Sequence, residues 1–121
     1  MFTAIVLNPE QRNLLLANLG DCAPPWWAFI ADHLTINMGS AADGPCAGRL
    51  GEEVELKVVA FAINDQVAAV KVETDIPSTN TTKHITIAVD VDNGAKPVYS
   101  NQIEDWKPIP EFVLRGKIAE M

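Results

Sequence analysis

The chain is poor in histidine, cysteine and positive charge, and each scarcity removes a class of function. Nine Lys and Arg stand against sixteen Asp and Glu, for a formal net charge of −7. Long polyphosphate chains are held by clustered cations, so duplex DNA is not an expected partner. A nucleic-acid ligand should instead be short: a small nucleotide or an RNA end. The two cysteines, Cys22 and Cys46, form no C-x-x-C pair and fit a reduced, cytoplasmic protein. No apolar run approaches the length that spans a bilayer, so no membrane partner is expected. Met1 to Leu7 carries no basic leader and reads as a first strand, not a signal peptide. The phosphate-cradling loops G-x-x-x-x-G-K and G-x-G-x-x-G are both missing. Asp90-Val91-Asp92-Asn93-Gly94 fails as a calcium loop: its glycine comes one place early, and Asn101 stands where the bidentate glutamate belongs.

What remains is a chain of 121 residues, the size of one domain spanning 1–121. Residues 2–7 read as a strand. Asn8 is a helix N-cap followed by Pro9 at N1, Leu15, Leu16 and Leu19 form the apolar stripe, and Gly20 closes the helix. Phe29 to Met38 reads as one strand stopped by Gly39, and 40–51 as an exposed, mobile loop rich in Gly, Ala and Pro. Alternation over 53–63 and 67–74 around Asn64-Asp65-Gln66 predicts an antiparallel hairpin. Lys83 to Val89 is a further strand, Asn93-Gly94 a turn, 97–106 a short helix or irregular segment, and Phe112 to Ala119 a last strand. The order is α+β with mostly antiparallel pairing.

Two of these strands carry near-copies of one pattern. His33-Leu34-Thr35-Ile36 and His84-Ile85-Thr86-Ile87 both read His, aliphatic, Thr, aliphatic, and they use the only two histidines in the chain. In a strand, residues i and i+2 share a face. Each motif therefore shows an imidazole and a hydroxyl on one face and sends its aliphatic residues to the other. Laid side by side, the strands would bring two imidazoles and two hydroxyls into one cleft. A two-histidine metal site is the competing reading, but no third His exists and the cysteines have no ligand spacing, so no metal or other cofactor is expected. Asp32 adjoins His33, yet strict alternation points its side chain to the other face.

Paired H-h-[S/T]-h motifs on two strands separated by a hairpin resemble the signature of the 2H phosphoesterase superfamily. That group includes the RNA-ligase-like LigT proteins, plant cyclic phosphodiesterases and the cyclic phosphodiesterase domain of plant tRNA ligase. The likeness is clearest from Ala31 to Val98. It implies a compact two-lobed α+β fold with pseudo-two-fold symmetry and metal-independent hydrolysis of phosphodiesters that involve a ribose 2′-oxygen. The catalytic set would be His33, Thr35, His84 and Thr86. Substrates in such a group include 2′,3′-cyclic phosphates on nucleotides or RNA ends, 2′–5′ linkages, ADP-ribose cyclic phosphate and cyclic oligonucleotide signals of antiviral defence. RNA repair and the removal of defence signals are thus both open.

The chemistry suits the groups. Opening a cyclic phosphate needs a base for water and an acid for the leaving sugar oxygen, and imidazole titrates near neutrality. Threonine hydroxyls can donate to the non-bridging oxygens without ionising. The resemblance makes His84 the base and His33 the acid, although a symmetric pair can exchange roles. For each of Trp26, Trp27, Tyr99 and Trp106 packing on the core is the favoured reading; if one of them stacks a base, Trp27 or Tyr99 is the choice. Lys96, Arg115 and Lys117 are candidates to meet a phosphate, with Arg115 and Lys117 more simply a solvated strand face; Lys83 is expected to be solvated. The rival function is a non-catalytic domain that binds and sequesters a nucleotide in the same cleft. A purely structural interaction module is a third reading.

Overall fold

The computed structural model describes residues 1–121. Its strands are β1 (Phe2–Val6), β2 (Ala28–Phe29), β3 (His33–Met38), β4 (Glu53–Ile63), β5 (Val67–Glu73), β6 (His84–Val89) and β7 (Lys107–Glu120), with one α-helix, α1 (Pro9–Leu19). All pairings are antiparallel, and the ring β6-β3-β1-β7-β4-β5 returns to β6, which leaves no open edge. The result is an α+β fold dominated by one six-stranded barrel. Two separate lobes are not what the strands build; an approximate two-fold relates only the two motif strands. The cause is the β5–β6 ladder, which runs from Val67↔Val89 to Lys71↔His84 and ties the hairpin to the second motif strand.

Local chemistry explains most elements. Asn8 caps α1 by accepting the Gln11 N–H at 2.9 Å, and Pro9 opens the helix. Gly20 is not a left-handed cap, because its φ of −62° carries the chain on into a 3₁₀ turn, Gly20–Cys22. In the hairpin, the Asn64 side chain accepts from the Gln66 and Val67 N–H groups and so fixes the turn. Val54, Leu56 and Val58 face inward from β4, and Leu34, Ile36, Ile85 and Ile87 meet them in the core, as strand alternation predicts. Gly116 is required where β7 passes β1: a Cβ there would lie 2.6 Å from Ile5 Cγ2 and 2.9 Å from the Val6 carbonyl. The last strand begins at Lys107, earlier than expected, because Phe61 and Ala60 on the long β4 pair with Lys107 and Pro108.

Three expectations change. The loop over 40–51 is anchored, since Ala41 and Cys46 are buried and Cys46 belongs to the core; both cysteines are free. Lys83 is half-buried, and its Nζ donates to the Thr74 carbonyl at 2.8 Å. Most consequentially, 29–38 is not one strand. β2 pairs Ala28↔Val89 and Phe29↔Ala88, whereas β3 pairs Leu34↔Ile85, so two extra residues separate the registers. The bulge contains Ala31, the one non-glycine residue at positive φ (52°), held because its N–H donates to the Thr86 carbonyl. Arg12 on α1 braces the same segment from outside, donating to the carbonyls of Ile30 (2.9 Å) and Phe29 (3.2 Å).

Candidate active site

The bulge sets the aim of the first histidine. Because alternation is broken at 30–32, Asp32 does not point away from His33; its Oδ1 accepts from His33 Nδ1 at 2.7 Å. The sequence expectation for Asp32 is therefore corrected. The Leu34↔Ile85 pair sits at the seam between β3 and β6. One step either side, the antiparallel register sets His33 beside Thr86 and Thr35 beside His84, all on the outer face. The two histidines are then diagonal neighbours across the Leu34↔Ile85 pair. Beyond Leu34 the seam opens. Ser78 Oγ donates to the Thr35 carbonyl at 2.8 Å and the Thr79 N–H to that of Ile36 at 2.8 Å, so this short loop, not β6, satisfies β3 there. The four motif residues thus meet on one face, at the mouth of the opening seam.

Both rings are fixed by their Nδ1 atoms. His84 Nδ1–H donates to the Thr82 carbonyl at 2.8 Å, an acceptor that leaves only the Nδ1–H tautomer for the neutral ring. Asp32 fixes the same tautomer in His33. In both rings Nε2 is left for a ligand. The environments nonetheless differ. His84 is only 7% exposed, and burial pushes its pKa below the ordinary imidazole value; the Thr82 carbonyl opposes this and the nearby His33 adds to it. His33 has a side chain 20% exposed and a carboxylate in contact. Each ring also has an aromatic neighbour: Phe2 lies 5.2 Å from His33 and Trp106 lies 6.5 Å from His84, centroid to centroid.

The Thr86 hydroxyl is engaged from above. The 3₁₀ segment Pro97–Gln102 lies over β5 and β6, and its Ser100 is buried. Thr86 Oγ1 donates to Ser100 Oγ at 2.9 Å. Hydroxyl rotors can reverse this bond, so that Ser100 donates to Thr86 and frees the Thr86 hydrogen for a ligand. Thr35 is half-buried and its hydroxyl makes no hydrogen bond within the protein.

Of the aromatic and cationic candidates, most are engaged away from the motif face. Trp27 is buried within the main core and cannot serve as a base platform, because the chain preceding β2 folds it inward. Tyr99 is half-buried and packs against Val67, Val89 and Ala95, so it supports the 3₁₀ segment. Lys96 is fully on the surface at the start of that segment. Arg115 and Lys117 pair across the ladder with Glu55 (2.8 Å) and Glu53 (3.9 Å), as a solvated face would. The structure instead brings Trp106, Ser100, Asp32 and Lys71 to the motif face. Lys71 is the direct cross-strand partner of His84 on β5. None of these could be chosen from sequence without the register, although Trp106 was among the four candidate rings.

Two surface depressions lie elsewhere. One, of about 490 Å³, runs past Gln11, Arg115 and Lys117; the other, of about 380 Å³, is lined by Glu55, Lys57, Glu73, Thr74, Asp75 and Val113. Neither includes a motif residue. No helix is long and apolar enough to cross a membrane. In comparison with known proteins, no family model, curated protein or solved structure matches this chain.

Proposed function

We propose that this chain is a cytoplasmic phosphodiesterase of the 2H type, opening a nucleotide cyclic phosphate or cleaving a 2′-linked phosphodiester by two-histidine acid/base catalysis. One observation carries the reading: two imidazoles, each pinned through Nδ1 and presenting Nε2, sit diagonally across the Leu34↔Ile85 pair with a threonine beside each. The local two-fold of these motifs is the part of the 2H pattern on which the reading rests. A phosphoryl group seated between the rings would have one Nε2 on each side, as in-line displacement demands.

The roles follow from the unequal surroundings. His84, buried and held neutral, takes a proton from water at Nε2 as the oxygen attacks phosphorus. His33, with Asp32 behind it, carries a proton on Nε2 and delivers it to the departing ribose oxygen. The P–O bond to that oxygen breaks as the new one forms, and the proton released by water is balanced by the proton given to the sugar. Thr35 and Thr86 hydroxyls donate to the non-bridging oxygens. Trp106 is the ring best placed to flank a base or ribose beside His84. These two histidines perform both proton transfers, so the reaction requires no metal. The negative charge of the whole chain favours a small soluble nucleotide over structured RNA.

The test is a product assay in EDTA with wild type, His33→Ala and His84→Ala. The panel holds 2′,3′-cyclic nucleotides, 2′–5′ dinucleotides and cyclic di- and trinucleotides. Cleavage of one class by wild type, lost in both variants, is the expected result. Tight binding of a panel member that is later released intact would replace hydrolysis with sequestration.

A further inference from the structure

The cations of this chain separate cleanly by what they touch. Arg49, Lys57, Arg115 and Lys117 are each paired with a glutamate. Arg12 and Lys83 donate to backbone carbonyls. Lys96 and Lys107 stand exposed in solvent. Lys71 alone is half-buried with neither an ion pair nor a hydrogen bond, in a chain with sixteen carboxylate residues available to pair with it. A lysine stem partly covered by its neighbours, with an ammonium that makes no bond within the protein, leaves that charge free to meet an anion.

Its place in the sheet says which anion. Lys71 is directly opposite His84 in the β5–β6 ladder, so the two side chains leave the same face. His84 and Thr86 share that face on β6, and His33 and Thr35 continue it on β3. Val70 and Val72, its neighbours in sequence, turn into the barrel core, which fixes Lys71 outward. The row therefore runs from a lysine through the buried imidazole to a threonine. A flexible four-carbon stem is long enough to bring the ammonium past His84 to the space between the histidines.

We propose that Lys71 is the phosphate-binding cation of this site: its Nζ pairs with a non-bridging oxygen of the phosphoryl group held between His33 and His84. This rests on reading that face as a phosphoryl site. It gives the site its selectivity for a phosphorus that carries formal negative charge, which the neutral threonine hydroxyls cannot supply alone. It also explains how an acidic protein attracts an anionic nucleotide: the one uncommitted half-buried cation is at the chemistry.

Inorganic phosphate is the probe, titrated into full-length protein while the ring signals of His33 and His84 are followed by NMR at several salt concentrations. Wild type should bind phosphate with shifts at both rings. Lys71→Gln and Lys71→Met, the latter retaining an apolar stem, should weaken binding about tenfold or more. The slope of log affinity against log salt should fall by roughly one. Lys71→Arg should keep most of the affinity, and Lys57→Gln, which removes the same charge from a distant ion pair, should change little. The proposal fails if wild type binds no phosphate, if Lys71→Gln and Lys71→Met bind as wild type does, or if Lys57→Gln loses as much. Turnover of the nucleotide panel is scored separately. Phosphate binding lost with Lys71 in a protein that hydrolyses nothing would retain the anion site and refute the phosphodiesterase.

Discussion

The two His-x-Thr strands are nearly the same sequence in two different settings, and the difference shows how far tertiary surroundings can separate two copies of one motif. On β3 the histidine follows a bulge that swings Asp32 onto its Nδ1, and its side chain stays 20% exposed beside Phe2. On β6 the histidine follows an irregular loop, donates to a neutral carbonyl and is roofed by the segment that brings Ser100 and Trp106. Burial favours a neutral ring at His84, against the pull of the Thr82 carbonyl. The surroundings of the two rings thus differ where their motifs do not.

The strongest way to break the comparison is to remove either ring. His33→Ala and His84→Ala should each lower kcat by about 10²–10⁴-fold. Because the pair acts as a unit, the double variant should lose little more than the worse single one, read in single-turnover assays. Additive losses would mean that the two rings serve separate steps.

Next in size is Asp32→Asn, which keeps the shape but removes the charge behind the acid. It should lower kcat on the order of 10²-fold through loss of ring orientation, with little change in KM. An unchanged kcat would strip Asp32 of any part in the chemistry.

The neutral ring can be tested without turnover. Burial lowers the His84 pKa from 6.5, so between that value and the lowered one the unfolded chain binds the proton and the folded chain does not. Stability from this group is present above about pH 6.5 and is lost as pH falls through the interval. Urea midpoints of wild type should therefore drop on acidification more than those of His84→Asn. The same lowering should extend the acid limb of kcat below the ordinary imidazole range.

The smallest expected effect is that of Ser100→Ala. It removes the hydroxyl that Thr86 donates to at 2.9 Å and should cost about 1 kcal/mol of stability. If Ser100 orients Thr86 for a ligand, kcat should also fall, by less than tenfold, while Thr86→Ser retains most activity. A change in stability alone would confine Ser100 to holding the 3₁₀ segment down.

Much of this protein was legible before any fold. Strand alternation placed Leu34, Ile36, Ile85 and Ile87 in the core and put each His with its Thr, because the side-chain period of a strand is two wherever the strand is regular. The helix start at Asn8-Pro9 and the hairpin around Asn64 were equally readable, since caps and turns are local chemistry. Tertiary structure alone decided the rest. It closed the strands into one barrel, inserted the bulge that put Asp32 behind His33, buried Trp27 and brought Trp106 over His84. It also set Lys71, a residue that reads as one more outward charge on a hairpin, opposite His84. Such facts depend on register between strands far apart in the chain, and a register is chosen by packing of the whole core, which no local pattern encodes.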